Sequence, residues 1–187
     1  MSQENRRVQM TKRLITDAMT ELCERGEPVA KISVSELCAI AEVNRSTFYK
    51  YYDGPEDLFG EIEEKFFSEL SAFMVPNVNA DIATGMREMC SYISQNKRIA
   101  RIVINNNINP NFPEKLFSLP VLQNSAEIFL TQRFGKSLGE GKMKYIYLFI
   151  VYGGYHMMRA WLNGDSSESY EEIADIILTL LNSFGTR

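Results

Sequence analysis

The sequence predicts an all-α protein of about nine helices, divided near residue 55 into a small N-terminal domain and a larger C-terminal domain. Three observations predict this class. Apolar residues recur at intervals of three and four along most of the chain, as on the buried side of a helix. No segment alternates apolar and polar residues as a half-buried strand does. Glycine and proline interrupt the pattern only at a few places.

The composition fits an intracellular protein with a real core. Of the 187 residues, 45% are hydrophobic, and the formal net charge is −4. Eight basic and eight acidic residues balance through Pro55, so the acidic surplus follows it. Three cysteines without metal-ligand spacing and a single histidine predict a reduced, cytoplasmic protein with no metal and no cofactor. The uncharged stretch from Tyr145 to Met158 is shorter than the roughly 20 residues that span a membrane, so no membrane segment is expected.

The N-terminal domain, residues 1–55, begins with an amphipathic helix that ends at Gly26. Ser33 and Glu36 have the spacing of a capping box, which starts a short second helix. Asn44 suits the N-cap of a third. The predicted helices of this part are 4–25, 34–41 and 45–52, followed by a connecting helix over 56–73.

The C-terminal domain, residues 56–187, continues the helical pattern beyond a boundary marked by Pro76. A loop is predicted at NNNINPNFP, because it combines two prolines with five asparagines. Pro120 predicts a break or bend inside the next helix. The predicted helices are 81–95, 97–106, 114–138, 142–162 and 168–184.

The second and third helices suit a helix-turn-helix, in which Phe48 and Tyr52 share the buried face. Their neighbours then point outward together, and the N-terminal residues of such a helix can reach base edges in the major groove. Arg45 can donate two hydrogen bonds to guanine. Ser33, at the start of the second helix, can donate hydrogen bonds from its hydroxyl and its backbone N–H to a phosphate. The predicted DNA-contacting residues are Ser33, Arg45, Ser46, Thr47, Tyr49, Lys50 and Tyr51. On pattern alone, the alternative is a tight helical hairpin with a solvated polar face.

The segment ISVSELCAIAEVNRSTFYKYYDGPEDLF resembles the DNA-binding segment of the tetracycline-repressor (TetR) family. The matching positions are Ser33, Leu37, Val43, Thr47-Phe48-Tyr49, Tyr51-Tyr52 and Asp57-Leu58. Two residues depart from the pattern. Glu42 stands where the family usually has glycine, and it needs a tolerable backbone angle. Pro55 stands where the family commonly has a lysine that binds a phosphate of the DNA backbone. The resemblance covers about the first 60 residues and implies a helical ligand-binding and dimerisation domain after them.

Apolar stripes run along the last two predicted helices and can meet inside one chain or between two. Glycine in the middle of a helix lowers helix stability by about 1 kcal/mol per residue relative to alanine. The pair Gly153-Gly154 is therefore explained if another backbone approaches the helix closely there. The resemblance implies a homodimer built from these helices. The predicted interface residues are Tyr145, Phe149, Tyr152, Gly153, His156, Ile173, Ile177, Leu180 and Phe184. For His156, a ligand or switch role is the alternative to interface packing.

The resemblance also implies a pocket for a small apolar effector in the C-terminal domain. The candidate wall residues are Phe67, Met86, Met89, Tyr92, Phe117 and Phe129, for which ordinary core packing is the alternative. Together these features predict a regulator, typically a repressor, that binds a palindromic operator as a homodimer. The alternative is a co-activator or interaction protein that no longer binds operators. No catalytic motif is present in the sequence, so an enzyme is not expected.

Overall fold

The computed structural model is built from α-helices and describes residues 3–74, 81–106, 111–134, 140–164 and 167–183. These ranges contain no strand, and the predicted all-α class is confirmed. A 3-10 turn at Val29–Lys31 lies between the first two helices. The α-helices of the described ranges are α1 (Gln3–Glu24), α2 (Val34–Ile40), α3 (Arg45–Phe48), α4 (Pro55–Met74), α5 (Ile82–Gln95), α6 (Lys97–Asn105), α7 (Phe112–Phe117), α8 (Pro120–Phe134), α9 (Glu140–Asn163) and α10 (Tyr170–Ser183).

The described residues form ten α-helices rather than the nine expected, because the segment predicted as one helix over 114–138 contains two. α7 ends at Phe117, and α8 begins at Pro120. Proline lacks an N–H and has a fixed φ, so it suits the first turn of a helix, where that N–H has no intrahelical partner. Pro55 begins α4 in the same way.

The third helix is shorter than predicted, since its α-helical part ends at Phe48 rather than at Tyr52. The chain continues as a tighter turn. Lys50 N–H donates to the Thr47 carbonyl at 3.3 Å, and Tyr51 N–H donates to the Phe48 carbonyl at 2.9 Å. Such three-residue bonds are common where a helix ends. These hydrogen bonds hold the segment from Tyr49 to Tyr52 against the end of α3.

The chain forms two compact units, each with its own buried core. The first contains Met1–Phe66 with Ile102–Ile108, and the second contains Phe67–Arg101 with Asn109–Arg187. In the first unit, α2 packs against both α1 and α3. In the second, α5 packs against α8 and α10, and α7 packs against α9. The predicted functional division at residue 55 stays a prediction.

Candidate nucleic-acid interface and C-terminal surfaces

The turn between α2 and α3 sets the angle between the two helices. Val43 N–H donates to the Cys38 carbonyl at 3.0 Å, which closes the turn. Glu42 has φ of 53°, in the left-handed region that disfavours residues other than glycine. Asn44 is the N-cap of α3, although its side chain makes no capping hydrogen bond. The unusual backbone angle expected at Glu42 is therefore present.

The inner side of α3 and of the turn that follows it is aromatic and buried. Phe48 is completely buried, and Tyr52 is 3% exposed, with their ring centroids 5.6 Å apart. Leu37 and Ala41 of the preceding helix-turn are also buried. The prediction that Phe48 and Tyr52 face inward is confirmed. Burial of these two rings fixes which side of α3 remains in solvent.

A polar cluster of three residues holds the end of this segment, and the sequence did not predict it. The Tyr52 hydroxyl donates to Glu61 Oε1 at 3.1 Å, and Lys12 Nζ lies 2.6 Å from Glu61 Oε2. Lys12 Nζ also lies 5.1 Å from the centre of the Tyr52 ring. Burial and the neighbouring Glu61 carboxylate raise the pKa of Tyr52, so its hydroxyl stays protonated and donates. The cluster ties α1 and α4 to Tyr52, at the end of the turn that follows α3.

The outer side of α3, in which we include the turn over Tyr49–Tyr52 that follows it, brings most of the predicted DNA-contacting residues together. Arg45, Ser46, Tyr49 and Lys50 are exposed, and Thr47 and Tyr51 are half-buried. Tyr49 is 57% exposed, whereas the preceding Phe48 is completely buried. The guanidinium of Arg45 donates to the Ser35 hydroxyl on α2. In the free chain, Arg45 is therefore held at the edge of the exposed surface rather than left unrestrained.

Ser33 lies at the start of α2, where its polar groups already have partners. Its backbone N–H donates to Glu36 Oε2 at 2.9 Å, and its hydroxyl accepts from Glu36 N–H at 3.3 Å. This is the predicted capping box, and it is confirmed. The hydrogen bonds from Ser33 hold the pKa of Glu36 below its usual range. A phosphate at this helix start would have to displace the Glu36 carboxylate.

The start of α4 is acidic. Glu56 and Asp57 lie in its first turn, and Asp53 N–H donates to Asp57 Oδ2 at 3.0 Å. The Asp53 N–H is taken, and the neighbouring carboxylates disfavour an anion. This position therefore disfavours a phosphate.

An apolar surface extends over α9 and α10 in the second unit. Tyr145 is 73% exposed, and Phe149 is 65% exposed. The other exposed residues of this surface, which we call the α9–α10 face, are Tyr152, Gly153, His156, Ile176 and Leu180. A contiguous exposed apolar patch of this kind is typical of a protein–protein interface.

The predicted interface residues are not all exposed on this face. Ile173 and Ile177 are 8% and 4% exposed, so they serve the core of the single chain. Phe184 lies outside the described residues. His156 is exposed and contacts the Tyr155 ring edge-on, with centroids 5.3 Å apart. The role of all nine residues in dimerisation stays a prediction.

Two apolar cavities lie in the second unit, and they divide the predicted effector residues. Met86 and Phe117 line both cavities, and Phe129 lines the smaller one. The remaining three candidates, Phe67, Met89 and Tyr92, line neither cavity. Phe67 packs on Phe112, with ring centroids 5.2 Å apart. The Tyr92 hydroxyl donates to Glu69 Oε2 at 3.3 Å, and Met89 is completely buried.

Chemistry-bearing side chains outside these surfaces are sparse. The three cysteines are buried and unpaired, and burial raises the pKa of Cys90 to about 12. Within the described residues, no group of three histidine, cysteine or carboxylate side chains is placed to hold a metal ion. None of the described helices is both long and apolar enough to cross a membrane.

Residues 80–183 match the sequence-family model described as "Transcriptional regulator C-terminal region", which belongs to the TetR group of families. The match covers most of the second unit. No curated protein sequence matches the chain significantly.

Several solved structures share the fold over nearly the whole chain. The TetR transcriptional regulator from Streptococcus agalactiae 2603V is 22% identical, with a TM-score of 0.72, covering 95% of this chain and 97% of that one. The dihydroxyacetone kinase operon activator DhaS is 21% identical, with a TM-score of 0.56 and coverages of 94% and 96%. The fatty acid degradation regulator FadR from Bacillus halodurans is 16% identical, with a TM-score of 0.58 and coverages of 91% and 94%.

Proposed function

This chain belongs to the TetR family of transcriptional regulators, and we propose that it is a repressor that binds a palindromic operator as a homodimer. In this proposal, residues 1–55 bind DNA, and residues 56–187 bind an effector and dimerise, with the helix over 56–73 connecting them. A small apolar effector releases the operator. The proposal includes no enzymatic activity.

The division of side chains around α3 is the observation that carries the proposal. Phe48 of α3 and Tyr52 of the turn that follows it are buried, and Arg45, Ser46 and Lys50 are exposed. A single helix enters the major groove, where arginine bonds guanine and hydroxyls bond several bases. Tyr49, Lys50 and Tyr51 are suited to phosphates, which position a protein without reading sequence.

The α9–α10 face supports dimerisation. Its exposed aromatic residues, Tyr145 and Phe149, are the kind of side chain that dominates protein interfaces. Two such faces related by a two-fold axis would form a four-helix bundle. A dimer of this family presents two reading helices about 34 Å apart, one turn of duplex DNA, to a palindrome.

The apolar cavities of the second unit support the effector part of the proposal. Met86 and Phe117 line both, and methionine side chains adapt to irregular ligands. An effector releases DNA only if it binds the released conformation more tightly than the DNA-bound one.

A selection of bound sequences from a random duplex pool tests the DNA-binding proposal. We expect a palindromic consensus with two half-sites about one helical turn apart. The affinity for that duplex should fall linearly with salt on a double-logarithmic plot, because bound phosphates release counterions. Recovery of no consensus, together with salt-independent affinity, would contradict the proposal.

The second candidate function is a co-activator or interaction protein on the same scaffold. The acidic start of α4, with Glu56 and Asp57 in its first turn, favours it because carboxylates there oppose a phosphate. The same selection distinguishes the two functions. An interaction protein binds no duplex in a salt-dependent way, whereas a repressor does.

A further inference from the structure

A cleft of about 220 Å³ lies between α9 and α10. Among the described residues that line it, none has an ionisable or strongly hydrogen-bonding side chain. The lining residues are Met86, Phe117, Phe149, Ile150, Gly153, Gly154, Met157, Ile177, Leu180 and Leu181. An apolar cavity of about 150 Å³ lined by similar residues can bind benzene, so this cleft is large enough for a one-ring or small two-ring molecule.

The open side of the cleft lies on the α9–α10 face. Phe149, Gly153 and Leu180 belong both to the lining and to that exposed face. On its inner side, the cleft shares Met86 and Phe117 with the smaller cavity, whose volume is about 20 Å³. The apolar space therefore extends from the core of the second unit to the surface assigned to dimerisation.

The two adjacent glycines of α9 have different packing. A Cβ at Gly154 would lie 3.0 Å from Phe117 Cζ, so close packing within the chain accounts for that glycine. A Cβ at Gly153 would meet nothing within 4 Å. Glycine inside a helix costs about 1 kcal/mol against alanine, and no close contact with another described residue accounts for that cost at Gly153. The absence of a side chain there leaves the mouth of the cleft open.

We propose that the α9–α10 cleft binds a small uncharged aromatic or hydrocarbon molecule and that a second copy of the chain closes it. This inference rests on the dimer of the proposed function. A molecule seated in the cleft exposes its outer side at Phe149 and Leu180, where a partner subunit buries it. The ligand therefore binds the dimer more tightly than the monomer, and by linkage it tightens the dimer by the same factor.

The binding experiment uses para-fluorotoluene as a neutral probe and para-fluorobenzoate as a charged probe of similar shape. Fluorine NMR of each probe is followed over protein concentrations that span the monomer–dimer transition, which sedimentation velocity locates. We expect para-fluorotoluene to bind the dimer about fivefold or more tightly than the monomer. We expect para-fluorobenzoate to bind about tenfold or more weakly, since the cleft offers no partner for a carboxylate.

A blocking variant, Gly153→Leu, tests the position of the site. Its side chain enters open space at the cleft mouth and favours the helix, so folding is retained. The matched control is Gly60→Leu in α4, where an added Cβ also meets nothing within 4 Å. In the dilute monomer range, where dimer loss cannot contribute, Gly153→Leu should weaken para-fluorotoluene binding about tenfold or more, and Gly60→Leu should leave it unchanged.

Three results would overturn the proposal. One is a dimer that binds no para-fluorotoluene, which means that the partner's own side chains fill the cleft. Another is equal binding by Gly153→Leu and the wild-type chain, which places the probe elsewhere. The third is equal affinity of monomer and dimer, which removes the closure by a second copy. No DNA is present, so failure to find an operator leaves these readouts intact, whereas a chain that stays monomeric contradicts the dimer of the proposed function itself.

Discussion

Two surfaces of this protein expose aromatic side chains, and the residues around those side chains differ. On the outer side of α3, Tyr49 is 57% exposed beside Arg45 and Lys50. On the α9–α10 face, Tyr145 and Phe149 are 73% and 65% exposed, and none of the seven residues that define the face is a lysine or an arginine. Aromatic exposure alone therefore does not identify a partner. Cations beside the ring favour a polyanion, and apolar neighbours favour another protein.

The largest expected effect distinguishes the buried and exposed aromatic residues of the first surface. Phe48→Ala should lower the free energy of unfolding by about 3–5 kcal/mol, because it empties a completely buried ring position. Tyr49→Ala should lower it by about 1.5 kcal/mol or less, because the exposed Tyr49 ring contacts Phe48 only edge-on at 5.7 Å, but it should weaken duplex binding. Urea denaturation and fluorescence anisotropy measure the two quantities. Equal destabilisation by both variants would show that Tyr49 is a packing residue.

The next effect concerns the second surface. Phe149→Glu or Tyr145→Glu should weaken the dimer by about 2 kcal/mol or more each, because a carboxylate replaces an interface aromatic. Sedimentation velocity gives the monomer–dimer equilibrium. The control is Ile128→Glu on α8, since Ile128 is 58% exposed but lies outside the α9–α10 face. If only the control dissociates the dimer, the interface is on α8.

A smaller effect is expected at the turn that aims α3. Glu42→Gly should raise the free energy of unfolding by about 1 kcal/mol, since glycine adopts the left-handed φ of 53° without strain. Removing the carboxylate should also tighten duplex binding. Gly26→Ala is the matched reverse, because Gly26 has φ of 87°, and thermal unfolding should show destabilisation there. A neutral or destabilising Glu42→Gly would mean that the Glu42 side chain makes a compensating contact.

The smallest effect is a pH dependence at the capping box. Hydrogen bonds from the Ser33 hydroxyl and N–H lower the pKa of Glu36 in the folded chain. A lowered folded-state pKa means that the contribution to stability is present above the unfolded pKa and is lost as pH falls through the folded value. Ser33→Ala should move the Glu36 pKa back toward its ordinary value of 4.5. NMR titration of the Glu36 carboxyl carbon measures this, and an unchanged titration would mean that Ser33 does not hold the carboxylate.

The features that could be predicted from the sequence are those that depend on residues close together in the chain. Phe48 and Tyr52 are four positions apart, and the Ser33–Glu36 capping box is three, so helical spacing was enough to place them. The bond from Tyr52 to Glu61 and the pairing of Lys12 with Glu61 depend on how α1 and α4 pack. No local pattern signals them.

The apolar residues of the C-terminal domain show more clearly what a sequence pattern cannot predict. Ile177 and Leu180 lie on the same sequence stripe, yet Ile177 is 4% exposed and Leu180 is 46% exposed. A stripe wide enough to serve a core and an interface does not indicate where one ends and the other begins. The α9–α10 cleft likewise depends on the spacing between two helices, which the sequence does not specify.

The most direct test of the central claim, that the exposed side of α3 reads DNA, is an anisotropy titration of Arg45→Ala and Lys50→Ala on the selected palindrome and on a scrambled duplex. Arg45→Ala should lose about 1–3 kcal/mol on the palindrome alone, and Lys50→Ala should weaken both duplexes alike and reduce the salt slope by about 1. Ser35→Ala is the control, because it removes only the bond that Arg45 makes to α2. Wild-type affinity in both the Arg45→Ala and the Lys50→Ala variants would contradict the claim.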